Sequence, residues 1–270
     1  MDRRELVNVS LASVGAAAMW PVLKFVQHAL TADALNQFHG FVETRPWRFD
    51  AAVEFLESLG DQRCQALRAV ITNGNTSACC LAICMVRRLG PSALPLLPEL
   101  IRIIQEDGHP DSDRAVIALG KIGPSAASAV SVLEDRLNNT DLLIRLDVAN
   151  SLVEIQPHRM NEWASIFHAG LNDFSTAFRA CLIVSEFGGA GVRFVPQLES
   201  LVGATSEGVR PDIHCEAARA ILRITGDPEL NAVQRALRTE QQLLSSPDDR
   251  VRRFVASRPI GGTAVQRIAD

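Results

Sequence analysis

Apolar residues return along most of the chain at spacings of three and four, the period of a helix that buries one face. Leu67, Val70 and Ile71 show it at i, i+3 and i+4. No stretch alternates apolar and polar residues between hairpin turns, so the pattern predicts helices and no sheet. Helices are predicted over 5–19 and 22–45, and from Asp50 to Leu59. From Gln62 onward they come in pairs. A helix beginning at Gln62 is followed by Ser77–Leu89, Leu94–Glu106 by Asp113–Ile122, and Ala126–Leu137 by Asp141–Ile155. Asn161–Leu171 is followed by Ser175–Phe187, Phe194–Val202 by Pro211–Thr225, and Pro228–Leu244 by Arg250–Ala256. Within the pairs the chain turns at Asn73-Gly74-Asn75-Thr76, at Asp107 to Asp111, at Asn138-Asn139-Thr140 and at Asn172-Asp173. These are residues whose side chains or φ range favour turns.

Between pairs the punctuation repeats. Leu89-Gly90-Pro91-Ser92-Ala93 returns as Ile122-Gly123-Pro124-Ser125-Ala126, a step of 33 residues. A further step of 33 reaches Ile155-Gln156-Pro157, with the proline kept and the glycine gone. Self-similarity at a fixed period of about 20–50 residues marks a repeat architecture. The expected fold is all-α: a right-handed α–α superhelix, or solenoid, of about five to six helix pairs, each hiding its apolar stripe against the next. Residues 1–61 form an N-terminal helical cap in this reading, 62–258 the solenoid, and 259–270 a polar tail that frays.

The repeat sequence resembles HEAT repeats, particularly the bacterial HEAT-like repeats grouped with phycobilisome lyases. The second half of such a repeat runs D-P-D-x-x-V-R-x-x-A-A-x-A-L-G-x-I. Ser246-Pro247-Asp248-Asp249-Arg250-Val251-Arg252-Arg253-Phe254-Val255-Ala256 follows it closely, and Asn139 to Ala149 and Asp173 to Arg179 more loosely. Cys215-Glu216-Ala217-Ala218-Arg219-Ala220-Ile221-Leu222-Arg223-Ile224 supplies its end, but His214 stands where arginine is usual. The resemblance covers roughly 62–258 and implies a fold, not an activity. The aspartates and arginines of this frame have a structural use. Asp173 can accept from the orphan N–H groups that begin a second helix, while Arg179, with Arg145 and Arg252 as neighbouring rungs, can bridge adjacent repeats as a ladder. In such a fold the second helices line the concave side. Their outward positions include Arg88, Lys121, Glu154 and Arg223, a mixed-charge row suited to a protein or peptide partner.

Composition narrows the choice of chemistry. Of 270 residues, 47% are hydrophobic; tyrosine is absent and aromatics make up only 5%, which suits helix-on-helix packing. Lysine occurs only at Lys24 and Lys121, and the formal net charge is −4. Arg219, Arg223, Arg235, Arg238, Arg250, Arg252 and Arg253 enrich the C-terminal third, yet Glu216, Asp227, Glu229, Glu240, Asp248 and Asp249 interleave with them. That is a solvated face, so no nucleic-acid partner is expected. Cys64, Cys79, Cys80, Cys84, Cys181 and Cys215 fall in predicted helices without a CxxC pair, and are read as reduced core residues.

The histidines lack metal-site spacing, and His214-Cys215-Glu216 is read as a surface histidine at a helix start. There is no GxSxG, and Gly188-Gly189-Ala190-Gly191 lacks the strand and the lysine of a phosphate loop, reading instead as an inter-repeat turn. The function expected is a non-catalytic scaffold without cofactor or metal. The alternatives are a phycobilisome-lyase-like protein that binds a tetrapyrrole, or a nucleic-acid-binding HEAT-like protein. The oligomeric state stays open. No membrane span is expected, and the location is read as cytoplasmic. The alternative is export: residues 1–20, with Arg3-Arg4 before an uncharged run from Leu6 to Leu23, resemble a twin-arginine signal.

Overall fold

A computed structural model describes residues 32–44, 48–203, 211–245, 249–257 and 259–260. The predicted helix over 5–19, the export reading of residues 1–20, the first part of the 22–45 helix and most of the polar tail lie outside the described residues. Among those described, every regular element is helical and there is no strand. The chain divides after Ala129 into two compact units.

The first unit contains α1 (32–44), α2 (Phe49–Ser58), α3 (Arg63–Asn73), α4 (Thr76–Leu89), α5 (Leu97–Gln105) and α6 (Ser112–Ile122). Its core follows from the apolar spacing. Leu67, Met85, Leu100, Ile103, Ile104 and Leu119 are all but removed from solvent, each stabilising by about 1.5–3 kcal/mol relative to exposure. α4 packs on α6, and α6 also on α5. At the N-terminal end Phe55 of α2 meets Phe38 and Phe41 of α1 edge-on, with centroids 5.5 and 5.9 Å away. These T-shaped pairs place ring edges on ring faces.

The second unit contains α7 (Val130–Arg136), α8 (Leu142–Ile155), α9 (Met160–Asn172), α10 (Ala177–Ser185), α11 (Val195–Gly203), α12 (Pro211–Thr225), α13 (Asn231–Leu244) and α14 (Asp249–Ser257). Here α8 packs on α9, α9 on α10, and α12 on α10, α11, α13 and α14. In both units the principal helix contacts join neighbours or next neighbours along the chain.

The glycine-proline punctuation has one geometry. Gly90 ends α4 at φ 55°, ψ −130°, and Gly123 ends α6 at φ 76°, ψ −150°. A side chain is strained in that region, and the residue before proline is also barred from the helical region, so glycine serves both demands. Gln156 ends α8 at φ −131°, ψ 72°, leaving the helix before Pro157 with a negative φ that any residue adopts. This is why the glycine is dispensable at the third step. After each break the chain runs through a 3-10 turn: Gly90–Leu96, Gly123–Ala129 and Pro157–Arg159. Gly188–Phe194 is another, so the glycine-rich segment is a turn of the same kind.

Three first helices begin three or four residues later than the periodicity predicts. α5 starts at Leu97 rather than Leu94, because Pro95 has no N–H to enter an α-helical ladder and Pro98 is tolerated only in the first turn. α7 starts at Val130 rather than Ala126, whose φ −86°, ψ 19° interrupts the turn before it. α13 starts at Asn231 rather than Pro228, since Asp227 Oδ1 takes the Glu229 N–H in a local turn at 2.9 Å. The stretches Thr76–Gln105 and Ser112–Arg136 are long and apolar enough by composition to cross a membrane. Each is broken by one of these punctuation turns, and 39% and 56% of their apolar windows are buried.

Candidate functional site

The second helices of the pairs carry the side chains singled out by the repeat frame, and their local order begins at the caps. Asn75 Oδ1 accepts from the Ala78 N–H at 2.9 Å at the start of α4, and Asp141 Oδ1 from the Leu143 N–H at 2.8 Å at the start of α8. Before α10, Asp173 Oδ1 accepts from the N–H groups of Ser175 and Thr176 at 3.0 and 3.1 Å, and from their hydroxyls. These donors, the Ser175 hydroxyl first, hold the Asp173 carboxyl below its ordinary range.

The predicted ladder residues have different surroundings. Arg179 on α10 donates through Nε to Asp147 Oδ1 on α8 at 2.8 Å, across 32 residues of sequence. Asp147 lies inside a helix, not in a turn, and sequence reasoning did not single it out. Arg145 is half-buried, with Nε lacking a hydrogen-bond partner. Arg252 pairs within its own helix with Asp249, at 3.0 Å.

Of the predicted partner-facing row, Arg88 is exposed near the end of α4, and Lys121 is half-buried in the last turn of α6. Glu154 is half-buried on α8, where its Oε1 accepts from Asn150 Nδ2 at 3.3 Å. Arg223 is exposed on α12 and reaches Ser185 Oγ of α10 at 3.3 Å.

Two of these residues line clefts. In the first unit, Arg88 with Met85 and Leu89 of α4, Val53, Leu56 and Glu57 of α2, Arg63 and Ser92 encloses about 250 Å³. In the second unit a cleft of about 270 Å³ lies against the end of α8. It is lined by Asn150, Val153, Glu154, Pro157, Met160, Glu186, Phe187 and Ala190. Arg88 and Glu154 are two steps of 33 apart, so both clefts fall beside the end of a second helix and its following turn.

The walls of the second cleft are held by their neighbours. Phe187 packs edge-on against Phe167 at 5.1 Å, and Phe167 against Phe194 at 6.0 Å. Beside Pro157, Arg159 donates to Glu134, Gln156 and Glu162 at 2.9, 2.7 and 2.6 Å and lies 5.1 Å from the Trp163 ring centre. The Arg159 bonds hold the Glu162 carboxyl low. Asn150 is 6% exposed, and its Oδ1 is buried without a hydrogen-bond partner. A polar residue inside a helix gives no local sign of which way it faces, and sequence reasoning passed over Asn150, Glu186 and Phe187.

His214 departs from its expected place. It is buried, not on the surface, because α12 is enclosed by α10, α11, α13 and α14. Burial, then the nearby Arg235 charge, lowers its pKa. Two residues on, Glu216 and Arg219 form a buried ion pair at 2.8 Å. All six thiols are free. Burial pushes Cys181 up to about 12 and Cys215 to about 11; it also raises Cys79 to about 11, with Asp111 adding to the shift. Among the described residues no three His, Cys, Asp or Glu side chains gather where they could hold a metal ion. No family model matches the chain, and no curated protein matches it.

Proposed function

We propose that this chain is a HEAT-like right-handed α-solenoid that acts as a non-catalytic scaffold, gripping a protein or peptide partner along its second helices. The observation that carries this reading is the placement of Arg88 and Glu154, at equivalent positions of the 33-residue frame, in clefts beside the ends of α4 and α8. A small cleft at an equivalent position of the frame in each unit suits a partner that offers a side chain to it. Within each unit the principal helix contacts join neighbours and next neighbours, which supports the solenoid, since stacked repeats meet their neighbours. Both clefts fall below the roughly 300–1,000 Å³ of small-molecule sites, which favours side-chain anchors over a bound tetrapyrrole. A cytoplasmic location belongs to the same reading.

The test is affinity capture from the source cell with mass spectrometry, using the intact chain and one lacking residues 1–20. Parallel captures use Arg88→Glu and Glu154→Lys. A partner recovered by the parent chain and lost with either reversal supports the scaffold. Capture unaffected by both reversals refutes the assignment of this row.

A further inference from the structure

We infer that the cleft beside the end of α4 is a receptor for a single carboxylate, so that an acidic side chain of the partner, glutamate in length, is anchored there. The inference deepens the scaffold reading and takes its protein partner from it, but the site can be tested alone.

Arg63 of α3 and Arg88 of α4 line this cleft together. Several arginines elsewhere hold carboxylates of the chain itself: Arg68 pairs with Glu99, Arg114 with Asp111, Arg179 with Asp147 and Arg219 with Glu216. Among the described residues neither Arg63 nor Arg88 has such a partner. Arg63 Nε donates to the Gly60 carbonyl oxygen at 2.9 Å, which orients the guanidinium and leaves its Nη groups to spare. Arg88 is exposed, and half-buried Arg63 has no unpartnered nitrogen shut off from solvent. Both heads are therefore open to a group entering from outside.

Glu57 of α2 lines the cleft as well, with no ion pair among the described residues. Two positive charges against one negative leave one positive charge in excess, which one carboxylate balances. A phosphate dianion would reverse the sign. Guanidinium forks also match the two oxygens of a planar carboxylate. Ser92 adds a hydroxyl, and its turn is tied to α3 by the Cys64 thiol, which donates to the Ser92 carbonyl oxygen at 3.4 Å. The rest of the lining, Val53, Leu56, Met85 and Leu89, is apolar. A glutamate divides in the same way, with methylenes for the apolar wall and a charged head for the arginines. Arg88 also sits in the last turn of α4, where a cation offsets the helix dipole. That role needs no occupant, so a response of the cleft to a carboxylate separates the two.

The experiment labels the methionine methyl groups of the full chain with carbon-13 and titrates N-acetyl-glutamate methylamide. The neutral isostere N-acetyl-glutamine methylamide is the control, and inorganic phosphate is titrated in parallel. Met85 lines this cleft and Met160 the one at the end of α8, and substitution with leucine assigns both signals. The expected result is a saturable shift of the Met85 signal with a Kd on the order of millimolar, the scale of one side-chain anchor. Met160 stays in place, the glutamine derivative has little effect, and phosphate binds less tightly. Arg88→Gln weakens the response about tenfold, the loss of one charge-assisted hydrogen bond. Arg63→Gln weakens it comparably if the variant folds, and exposed Arg88 decides the question if it does not. Glu57→Gln, also at an exposed position, acts in the opposite sense and tightens binding roughly twofold to fivefold by removing a like charge. No Met85 shift, an equal shift with the glutamine derivative, tighter binding of phosphate, full affinity in Arg88→Gln or no gain in Glu57→Gln overturns the site. Failure of the scaffold reading looks different: Met85 answers glutamate, but the capture experiment returns no partner.

Discussion

Gly188 and Gly189 are adjacent in one turn, and replacing each with alanine should change stability in opposite directions. A Cβ at either position would meet nothing within 4 Å, so packing drops out of the comparison. The difference is backbone geometry: Gly188 sits at φ +53°, whereas Gly189 has no positive φ. Alanine at Gly188 must take a left-handed conformation, which costs an L-residue about 1–2 kcal/mol. At Gly189 it meets no such strain and narrows the unfolded ensemble, gaining about 0.4–1 kcal/mol. The unfolded-state gain is common to both variants, so they should differ by the strain alone, about 1–2 kcal/mol, with the parent between them. Urea unfolding followed by far-UV circular dichroism measures this. Both variants share the same turn, so any loss of two-state behaviour in the chain affects them alike. Equal or same-sign effects would refute the claim that the recurring glycines are selected by backbone conformation. Gly90→Ala should cost at least as much as Gly188→Ala, because its Cβ would also press within 3.3 Å of the Lys121 carbonyl oxygen.

The Arg179–Asp147 pair, 31% and 15% exposed at the side chains, should show a coupling of about 1–2 kcal/mol in a double-alanine cycle; additivity within about 0.3 kcal/mol would deny the bridge. The Asp173 carboxyl is held low in the folded state, so its contribution is present above the unfolded aspartate value, about 3.9, and is lost as pH falls through the lower folded value. Asp173→Asn should flatten the acid limb of stability against pH, and an unchanged limb would count against the bonds from Ser175 and Thr176 as its cause. His214 has the same sign of shift: its neutral form is favoured by folding, so stability falls as pH drops below the unfolded histidine value, about 6.5, and His214→Gln should remove that slope. A thiol-specific label added to native protein should modify Cys64, Cys80 and Cys84 first, with Cys79, Cys181 and Cys215 protected until unfolding; mass spectrometry of the labelled peptides reads the order.

Much of the helical layout is legible because its causes are local. The Gly90 and Gly123 turns can be read from residue type, since a positive φ before proline leaves little choice but glycine. Asn75 and Asp141 can likewise be read as helix starts from a side chain that reaches its own backbone two or three residues on, while Asp173 closes the turn ahead of Thr176, where α10 begins. The late starts of α5 and α7 show the limit even here, because the same apolar spacing serves a 3-10 turn and the helix that follows.

Three features needed the folded molecule. Asp147 and Asn150 are polar residues inside α8, and the local pattern cannot tell a solvated position from one meeting another helix. Arg179 and the cleft at the end of α8 supply that distinction. His214 at the head of α12 looks like a surface residue until helices on several sides enclose it. By itself the chain determined an all-helical course and where its turns fall, because those depend on φ, on caps and on periodic burial within a few residues. Tertiary structure alone decided which charges meet, which polar atoms lie buried and where clefts open, because those depend on side chains about 30 residues apart arriving at the same place.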